Sequence, residues 1–178
     1  MSFVSRAGAK LEHALIEFGL DVSGKICADL GCSTGGFTDC LLQRRAAKVY
    51  CVDTGYGVLE YKLRIDSRVV VMERTNALHV VFPEKIDFIS IDVGWTRQSL
   101  ILPHALELLA PGGNIVSLVK PHYEAKKAHL QASESAQVFA QVIENLRSLG
   151  ITPQQSVISP ILGEKGGNVE YLIWVRNL

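Results

Sequence analysis

The sequence predicts an α/β fold in which a mostly parallel sheet is covered by helices on both faces. Short apolar runs alternate with segments whose apolar residues recur at the helical period, and glycine turns separate them along the 178 residues. This alternation is typical of parallel strands, because each crossover between them needs a connection long enough for a helix. We predict strands over residues 25–30, 48–53, 69–73, 86–92, 114–119, 156–159 and 170–175, of which the last two form an antiparallel pair.

The first helix is predicted over residues 5–18, where apolar side chains recur every three or four positions. Ser5 is predicted as its N-cap and Gly19 as the residue that ends it. Pro103 is expected to kink or restart a later helix, because proline lacks a backbone N–H. The further helices are predicted over residues 36–45, 58–64, 99–109 and 132–149.

The composition favours one folded domain spanning residues 1–178. Hydrophobic residues make up 48% of the chain and charged residues 20%, which is typical of a globular protein rather than a disordered one. Lysine plus arginine equals aspartate plus glutamate at 18 each, so no overall field attracts nucleic acid. A nucleic-acid partner would therefore have to be held by a local patch or by another module.

The sequence predicts a cytoplasmic protein. The first residues lack an apolar signal core, and no apolar run is long enough to span a membrane. The cysteines form no C-x-x-C pair and no zinc-ligand spacing, so we expect buried, reduced thiols and no metal site. The four cysteines are Cys27, Cys32, Cys40 and Cys51.

The most informative stretch is residues 25–37, where an apolar strand ends in an acid, passes through a glycine turn and opens into a helix. Such a unit cradles nucleotide-like ligands, because backbone N–H groups at the helix N-terminus point at them. Its glycines do not fit the G-x-G-x-x-G dinucleotide pattern. Asp29 at the strand end would repel a pyrophosphate and attract a positive charge. The stretch therefore favours a cationic nucleoside over a dinucleotide.

Polar residues follow other predicted strands, at the sheet edge where α/β folds bind ligands. Asp53 ends the second strand, where a carboxylate accepts both hydroxyls of a ribose; the alternative is a surface acid that caps the next loop. Asn76 follows the third strand and either hydrogen-bonds an adenine edge or caps a short helix. Asp92 and Lys120 end strands that we expect to be neighbours, and they form either a functional pair or a structural ion pair.

Several other residues carry weaker signals on their own. Lys10 borders the buried stripe of the first helix and Glu170 opens the last strand, and each alone is expected to be a solvated charge. His122 is interpreted as an exposed loop histidine rather than a base. Trp95 and Tyr123 follow strand ends and either stack on a base or plug the cleft.

Six short motifs occur in order along nearly the whole chain, at residues 5–11, 29–42, 52–57, 73–76, 118–121 and 167–170. Together they resemble the TlyA-type, hemolysin-like branch of the FtsJ family of S-adenosylmethionine-dependent methyltransferases. The resemblance implies a Rossmann-like class I methyltransferase fold with a seven-stranded sheet whose last strand is antiparallel. It also implies 2′-O-methylation of ribose in ribosomal RNA.

By motif position, the resemblance implies two sets of site residues. The catalytic set is a Lys-Asp-Lys-Glu tetrad at Lys10, Asp92, Lys120 and Glu170. Within it we assign Lys120 as the general base that accepts the hydroxyl proton. The S-adenosylmethionine site falls on Asp29, Gly31, Ser33, Thr34, Gly35, Gly36, Phe37, Asp53, Asn76 and Asp92.

The chain also departs from the family pattern. The family carries an S4 RNA-binding module before the first of the six motifs, and this chain begins almost at that motif, which predicts a catalytic domain without the module. After Asp92 the family tends to read Ser-Phe-Ile-Ser, whereas residues 94–97 are Gly-Trp-Thr-Arg; after Lys-Pro it tends to read Gln-Phe-Glu, whereas His-Tyr-Glu follows here. Two alternatives to an RNA methyltransferase stay open. One is methylation of a non-RNA or small-molecule acceptor, and the other is a non-catalytic S-adenosylmethionine-binding module.

Overall fold

A computed structural model of the chain describes residues 2–164 and 166–177. Its strands are β1 (Ile26–Leu30), β2 (Lys48–Val52), β3 (Val69–Met72), β4 (Ile86–Ile91), β5 (Leu109–Val119), β6 (Gln155–Ile158) and β7 (Tyr171–Arg176). Its helices are α1 (Ala7–Glu17), α2 (Gly36–Gln43), α3 (Tyr61–Arg64), α4 (Gln98–Leu108), α5 (Pro121–Glu124) and α6 (Ala132–Ser148). Within this part of the chain, no helix combines the length and the apolar character needed to cross a membrane.

The seven strands form one sheet in the order β3-β2-β1-β4-β5-β7-β6. Strands β1 to β5 pair in parallel, and β7 is antiparallel to both β5 and β6. The predicted seven-stranded, mostly parallel sheet with an antiparallel last strand is therefore confirmed. Chain order reverses at β1, which lies between β2 and β4, and a ligand cleft is expected at the carboxyl ends of the strands beside such a reversal.

Successive strand residues alternate between two hydrophobic cores, one on each face of the sheet. Cys27 and Phe88 belong to the core that includes α1 and α2. Their neighbours Ala28 and Ile89 belong to the core that includes α4 and α6. Helices on both faces are thus confirmed. The four cysteines are all buried and free, as predicted.

The first helix begins two residues later than predicted, at Ala7, and Arg6 rather than Ser5 is its N-cap. Ser5 instead packs against the start of α2, where a Cβ added to Gly36 would lie 2.2 Å from the Ser5 Oγ. This close approach explains why residue 36 is a glycine. Gly19 follows the helix with a φ of +63°, in the predicted place.

The α4 helix and the β5 strand also differ from the prediction. The helix includes Pro103 without interruption, so the predicted restart does not occur. The strand begins at Leu109 rather than at the predicted residue 114, so residues 109–113 also belong to it. The pairing register between β4 and β5 shifts between Ile86 and Phe88, and this irregularity accommodates the extra residues.

Candidate active site

Two adjoining cavities open at the carboxyl ends of the central strands. The larger, which we call the tetrad cavity, has a volume of about 430 Å³ and is lined by all four residues of the predicted tetrad. The smaller, the Asp53 cavity, has a volume of about 240 Å³ and is lined by Asp53 and Asn76. Gly31, Ser33 and Asp92 line both cavities. The two therefore form one cleft at the predicted edge of the sheet.

Asp53 and Asn76 lie in loops after β2 and β3. The Asp53 carboxylate accepts hydrogen bonds from the backbone N–H of Ser33 through Oδ2 (2.8 Å) and of Gly55 through Oδ1 (2.7 Å). These bonds fix the carboxylate and leave further lone pairs on both oxygens for ligand hydroxyls. Asn76 Oδ1 accepts a bond from the Leu78 N–H (2.9 Å), so this side chain closes its own turn while it lines the cavity.

The glycine loop after β1 is shaped by close packing. Gly31 has a φ of +87°, and a Cβ there would lie 2.4 Å from the Asp92 carbonyl oxygen, so the position requires glycine. Gly35 has a φ of +99° and packs against Leu63; it lines neither cavity, and its positive φ shapes the loop. The other predicted loop residues line the tetrad cavity: Ser33, Thr34, Gly36 and Phe37.

The structure places Asp29 behind the glycine loop. Its side chain is fully buried and lines neither cavity. Thr38 Oγ1 donates a hydrogen bond to Asp29 Oδ2 (2.7 Å), and Ser90 Oγ donates to Oδ1 (3.1 Å). Burial raises the pKa of Asp29 to about 7, although these two hydroxyl bonds act in the opposite direction. Asp29 therefore supports the glycine loop from behind.

Lys10 and Glu170 form a buried ion pair. The Lys10 Nζ donates a hydrogen bond to Glu170 Oε2 at 2.5 Å, and the pair joins α1 to the residue just before β7 across 160 positions of sequence. Gly163 packs on the same carboxylate, since a Cβ there would lie 2.7 Å from Glu170 Oε1. The expectation that each residue alone is a solvated charge is therefore wrong, because each buries the other.

Asp92 and Lys120 form the second ion pair, as predicted for residues at the ends of neighbouring strands. Lys120 Nζ lies 2.5 Å from Asp92 Oδ1. The pair does not have the geometry of an aligned hydrogen bond, and within the described part of the chain Asp92 Oδ1 has no such bond. Burial by itself lowers the pKa of Lys120, but the Asp92 carboxylate and, less strongly, Glu170 and Tyr123 outweigh it, so the net direction is upward. The lysine is therefore charged in this arrangement.

The α5 helix was missed from the sequence, and with it the burial of His122. Only 4% of His122 is exposed, so its interpretation as an exposed loop residue is wrong. The helix begins at Pro121, and a proline at the first helical position is the signal that would have revealed it. Tyr123 also lines the tetrad cavity, and Trp95 stacks on it with ring centroids 4.3 Å apart.

Gln98 is a second residue that the sequence did not reveal. Its backbone N–H donates to Glu124 Oε1 (2.8 Å), and its Nε2 donates to the Leu118 carbonyl oxygen (3.1 Å). Ser117 Oγ in turn donates to Gln98 Oε1 (2.7 Å). This buried network ties the start of α4 to the end of β5 and to α5, and it thereby fixes the segment that carries Lys120.

The cleft suits a positively charged nucleoside. At one end, Asp53 offers a fixed carboxylate to ribose hydroxyls. At the other end, the Asp92 carboxylate borders both cavities and is paired with Lys120, so a ligand cation that enters the cleft would share this negative charge. The predicted kind of ligand thus fits the cleft, and Asp92 lines both of its cavities.

A sheet in this order, with a glycine loop after β1 and a carboxylate after β2 in one cleft, defines a class I, Rossmann-like methyltransferase. Other methyltransferases of known structure share this fold at low sequence identity. The chain belongs to the FtsJ-like methyltransferase family, whose sequence profile matches residues 3–177. S-adenosylmethionine is the cofactor of this family. The family and the cofactor predicted from the six motifs are therefore confirmed.

Relatives match nearly all of this chain. A Bacillus subtilis protein, YqxC, is 42% identical over 97% of the chain and 65% of its own length. Mycobacterium tuberculosis TlyA, a 16S/23S rRNA (cytidine-2′-O)-methyltransferase, is 38% identical over 98% of the chain and 69% of its own length. A solved structure from Lactococcus lactis, named as a hemolysin, is 39% identical with a TM-score of 0.92 and covers 99% of this chain and 89% of its own. The chain spans 65% of the length of YqxC and 69% of that of TlyA.

Proposed function

We propose that this chain methylates a ribose 2′-hydroxyl in ribosomal RNA with S-adenosylmethionine as the methyl donor. The observation that carries the proposal is that two lysine–carboxylate pairs line one cavity, which is continuous with the Asp53 cavity. A 2′-hydroxyl is a poor nucleophile until its proton is accepted, so a positioned base is what this reaction needs. The activity named for the M. tuberculosis relative supports a cytidine of ribosomal RNA as the acceptor, which would place the protein in the cytoplasm.

The cofactor would lie along the cleft. When bound, S-adenosylmethionine supplies a methyl group that its sulfonium charge already activates. We assign its ribose hydroxyls to Asp53 and its adenine edge to the Asn76 loop. Ser33 and Gly31, which line both cavities, would border its middle. The protein then has to align the acceptor and keep water out of the cleft.

Lys120 is the general base in this proposal. Its Nζ must lose a proton before it is able to accept one. Burial favours that loss because it lowers the pKa of Lys120, whereas the Asp92 carboxylate opposes the loss because it raises this pKa. A further positive charge in the cleft would compete for Asp92 and lower the pKa of Lys120. The lysine would therefore become an effective base only when the cofactor site is filled.

Lys10 and Glu170 would act on the acceptor side of the same cavity. Lys10 is a donor that is able to hold the acceptor oxygen, and Glu170 fixes its position through the 2.5 Å bond. Glu170 also adds to the charges that raise the pKa of Lys120. Both pairs thus bear on one proton transfer.

Replacing Lys120 with alanine tests the proposal. The assay is transfer of labelled methyl groups from S-adenosylmethionine to ribosomal subunits from a strain that lacks a TlyA-type enzyme. We expect Lys120→Ala to lower the rate by roughly 10²- to 10⁴-fold, because the base is lost. Calorimetry should show that affinity for S-adenosylmethionine is kept or rises, because Lys120 no longer competes for Asp92. Lys127→Ala is the matched control, since Lys127 is exposed and pairs with Glu134, and it should retain the wild-type rate.

Other acceptors are tested in parallel. If label enters a small-molecule extract and no RNA, the acceptor is a small molecule instead of ribosomal RNA. Label in no fraction, with cofactor binding intact, would indicate a binding module. Full turnover by Lys120→Ala would rule out Lys120 as the base.

A further inference from the structure

His122 is a buried residue in the wall of the tetrad cavity that the proposed chemistry does not use. It lies in α5, two residues after Lys120, and its ring packs beside Tyr123 with centroids 4.3 Å apart. The backbone N–H groups of Tyr123 and Glu124 both donate to the Lys120 carbonyl oxygen, which holds the turn together. The ring is therefore held in the wall of the cavity.

The Nδ1 atom of His122 is buried and has no hydrogen-bond partner among residues 2–164 and 166–177. Buried polar atoms are nearly always paired, because leaving one unpaired costs free energy. The ring itself lines the tetrad cavity, so a ligand there that pairs with this nitrogen after a small turn of the side chain recovers that free energy. An unpaired nitrogen in a cavity wall is thus typical of a binding group whose partner arrives with the ligand.

The surroundings of His122 disfavour its charged form. Burial lowers the pKa of His122, and the nearby charges of Lys120, His129 and Lys10 lower it further. A neutral imidazole carries one N–H donor and one acceptor nitrogen. At neutral pH the ring therefore offers hydrogen bonds without placing another cation beside the two lysines.

The position of the ring indicates which ligand it contacts. The nucleoside end of the cofactor is assigned to the Asp53 cavity, which His122 does not line. The acceptor hydroxyl has to reach Lys120, and His122 lines that same cavity. The polar partner of the imidazole therefore belongs to the acceptor.

Resting on the proposed RNA methylation, we propose that His122 hydrogen-bonds the acceptor nucleotide and so holds its ribose against Lys120. The residue binds the acceptor and takes no proton in the reaction.

Two variants with different hydrogen-bonding capacity test this role. His122→Phe keeps a ring and removes both polar nitrogens, whereas His122→Gln keeps one donor and one acceptor group. With ribosomal subunits as acceptor, we expect His122→Phe to lower kcat/KM roughly tenfold, mainly through KM for the acceptor. His122→Gln should stay within about threefold of the wild type. Affinity for S-adenosylmethionine should be unchanged in both, and the unfolding temperature should not fall in either, because no hydrogen bond of the imidazole is lost in the ligand-free protein.

Each other result contradicts the proposal in a recognisable way. Wild-type kinetics in His122→Phe would show that the imidazole nitrogens do not hydrogen-bond the acceptor. A lower unfolding temperature in both variants, with no rescue by glutamine, would make the role structural. Loss of the rate–pH dependence in both variants would make His122 the base, and weaker cofactor affinity would assign the ring to the cofactor. Wild-type protein that methylates no RNA, tested beside Lys120→Ala, would be a failure of the proposed function itself, and the His122 proposal would fall with it.

Discussion

The two lysine–carboxylate pairs of the tetrad cavity differ in burial and in geometry. Lys10 and Glu170 expose 7% and 3% of their side chains and form an aligned hydrogen bond. Lys120 and Asp92 expose 16% and 19% and form no aligned bond, although the N–O distance is 2.5 Å in both pairs. An aligned pair that water does not reach is costly to separate, whereas a poorly aligned and more exposed pair rearranges more easily. The first pair is therefore a fixed frame, and the second is the part of the site that a ligand is able to change.

Removing one partner of the buried pair should give the largest effect on stability. Lys10→Met leaves the Glu170 carboxylate buried without a cation, and we expect a loss of about 3–5 kcal/mol in the free energy of unfolding. Denaturant titration measures it. A Lys10→Met/Glu170→Leu double variant should recover most of the loss, because no unpaired charge remains.

Lys48→Met provides the contrast with a surface pair. Lys48 pairs with Glu84 at 2.6 Å, and both side chains are much more exposed than the pair at Lys10. This variant should change the free energy of unfolding little. An equally small loss in Lys10→Met would contradict the description of Lys10 and Glu170 as a fixed frame.

Asp92→Asn tests the looser pair through the pH dependence of the rate. Because the Asp92 carboxylate raises the pKa of Lys120, replacing it with an amide should lower that pKa. A base acts only when deprotonated, so the rate of the wild type should rise with pH into the alkaline range, and the rise should begin at lower pH in the variant. The maximal rate should fall, because the lysine loses the group that orients it. Rates of methyl transfer at saturating S-adenosylmethionine measure both effects, and an unshifted profile would mean that Lys120 is not the titrating base.

Asp29 extends the comparison to a buried acid that is held by hydroxyls instead of a lysine. Its carboxyl group has a pKa of about 7 in the folded protein against an ordinary value of 3.8, so folding favours the protonated form. The stability from this group is full below about pH 4 and is lost as the pH rises towards about 7. Asp29→Asn cannot ionise, and its unfolding temperature should exceed that of the wild type by several degrees at about pH 8 and match it at about pH 4. If the curves of unfolding temperature against pH for Asp29→Asn and the wild type run parallel, burial does not raise the pKa of the Asp29 carboxyl group.

The fold could be predicted from the sequence because its determinants are local. Parallel strands buried on both faces are continuous apolar runs, and β1 shows this with four buried residues of five. The edge that carries the site follows directly, since the carboxyl ends of these strands meet there. Asp53 and the pairing of Asp92 with Lys120 could be predicted for the same reason.

The remaining features depend on contacts between distant segments. Asp29 is buried by partners 9 and 61 positions away, Thr38 and Ser90. The pairing of Lys10 with Glu170 gives no local signal either, and only the family resemblance brought the two together. His122 lies in a four-residue helix, which is too short to show a periodicity.

The bond between Lys10 and Glu170 has a consequence for the timing of synthesis. A ribosome that makes this chain completes the glycine loop, Asp53 and Asp92 long before it reaches Glu170, which pairs with Lys10 across 160 positions. Until β7 takes its place beside β5, Lys10 has no carboxylate partner and the tetrad is incomplete. Under the proposed function, every partial translation product that ends before residue 170 therefore lacks part of the tetrad, and methylation would wait for the finished sheet.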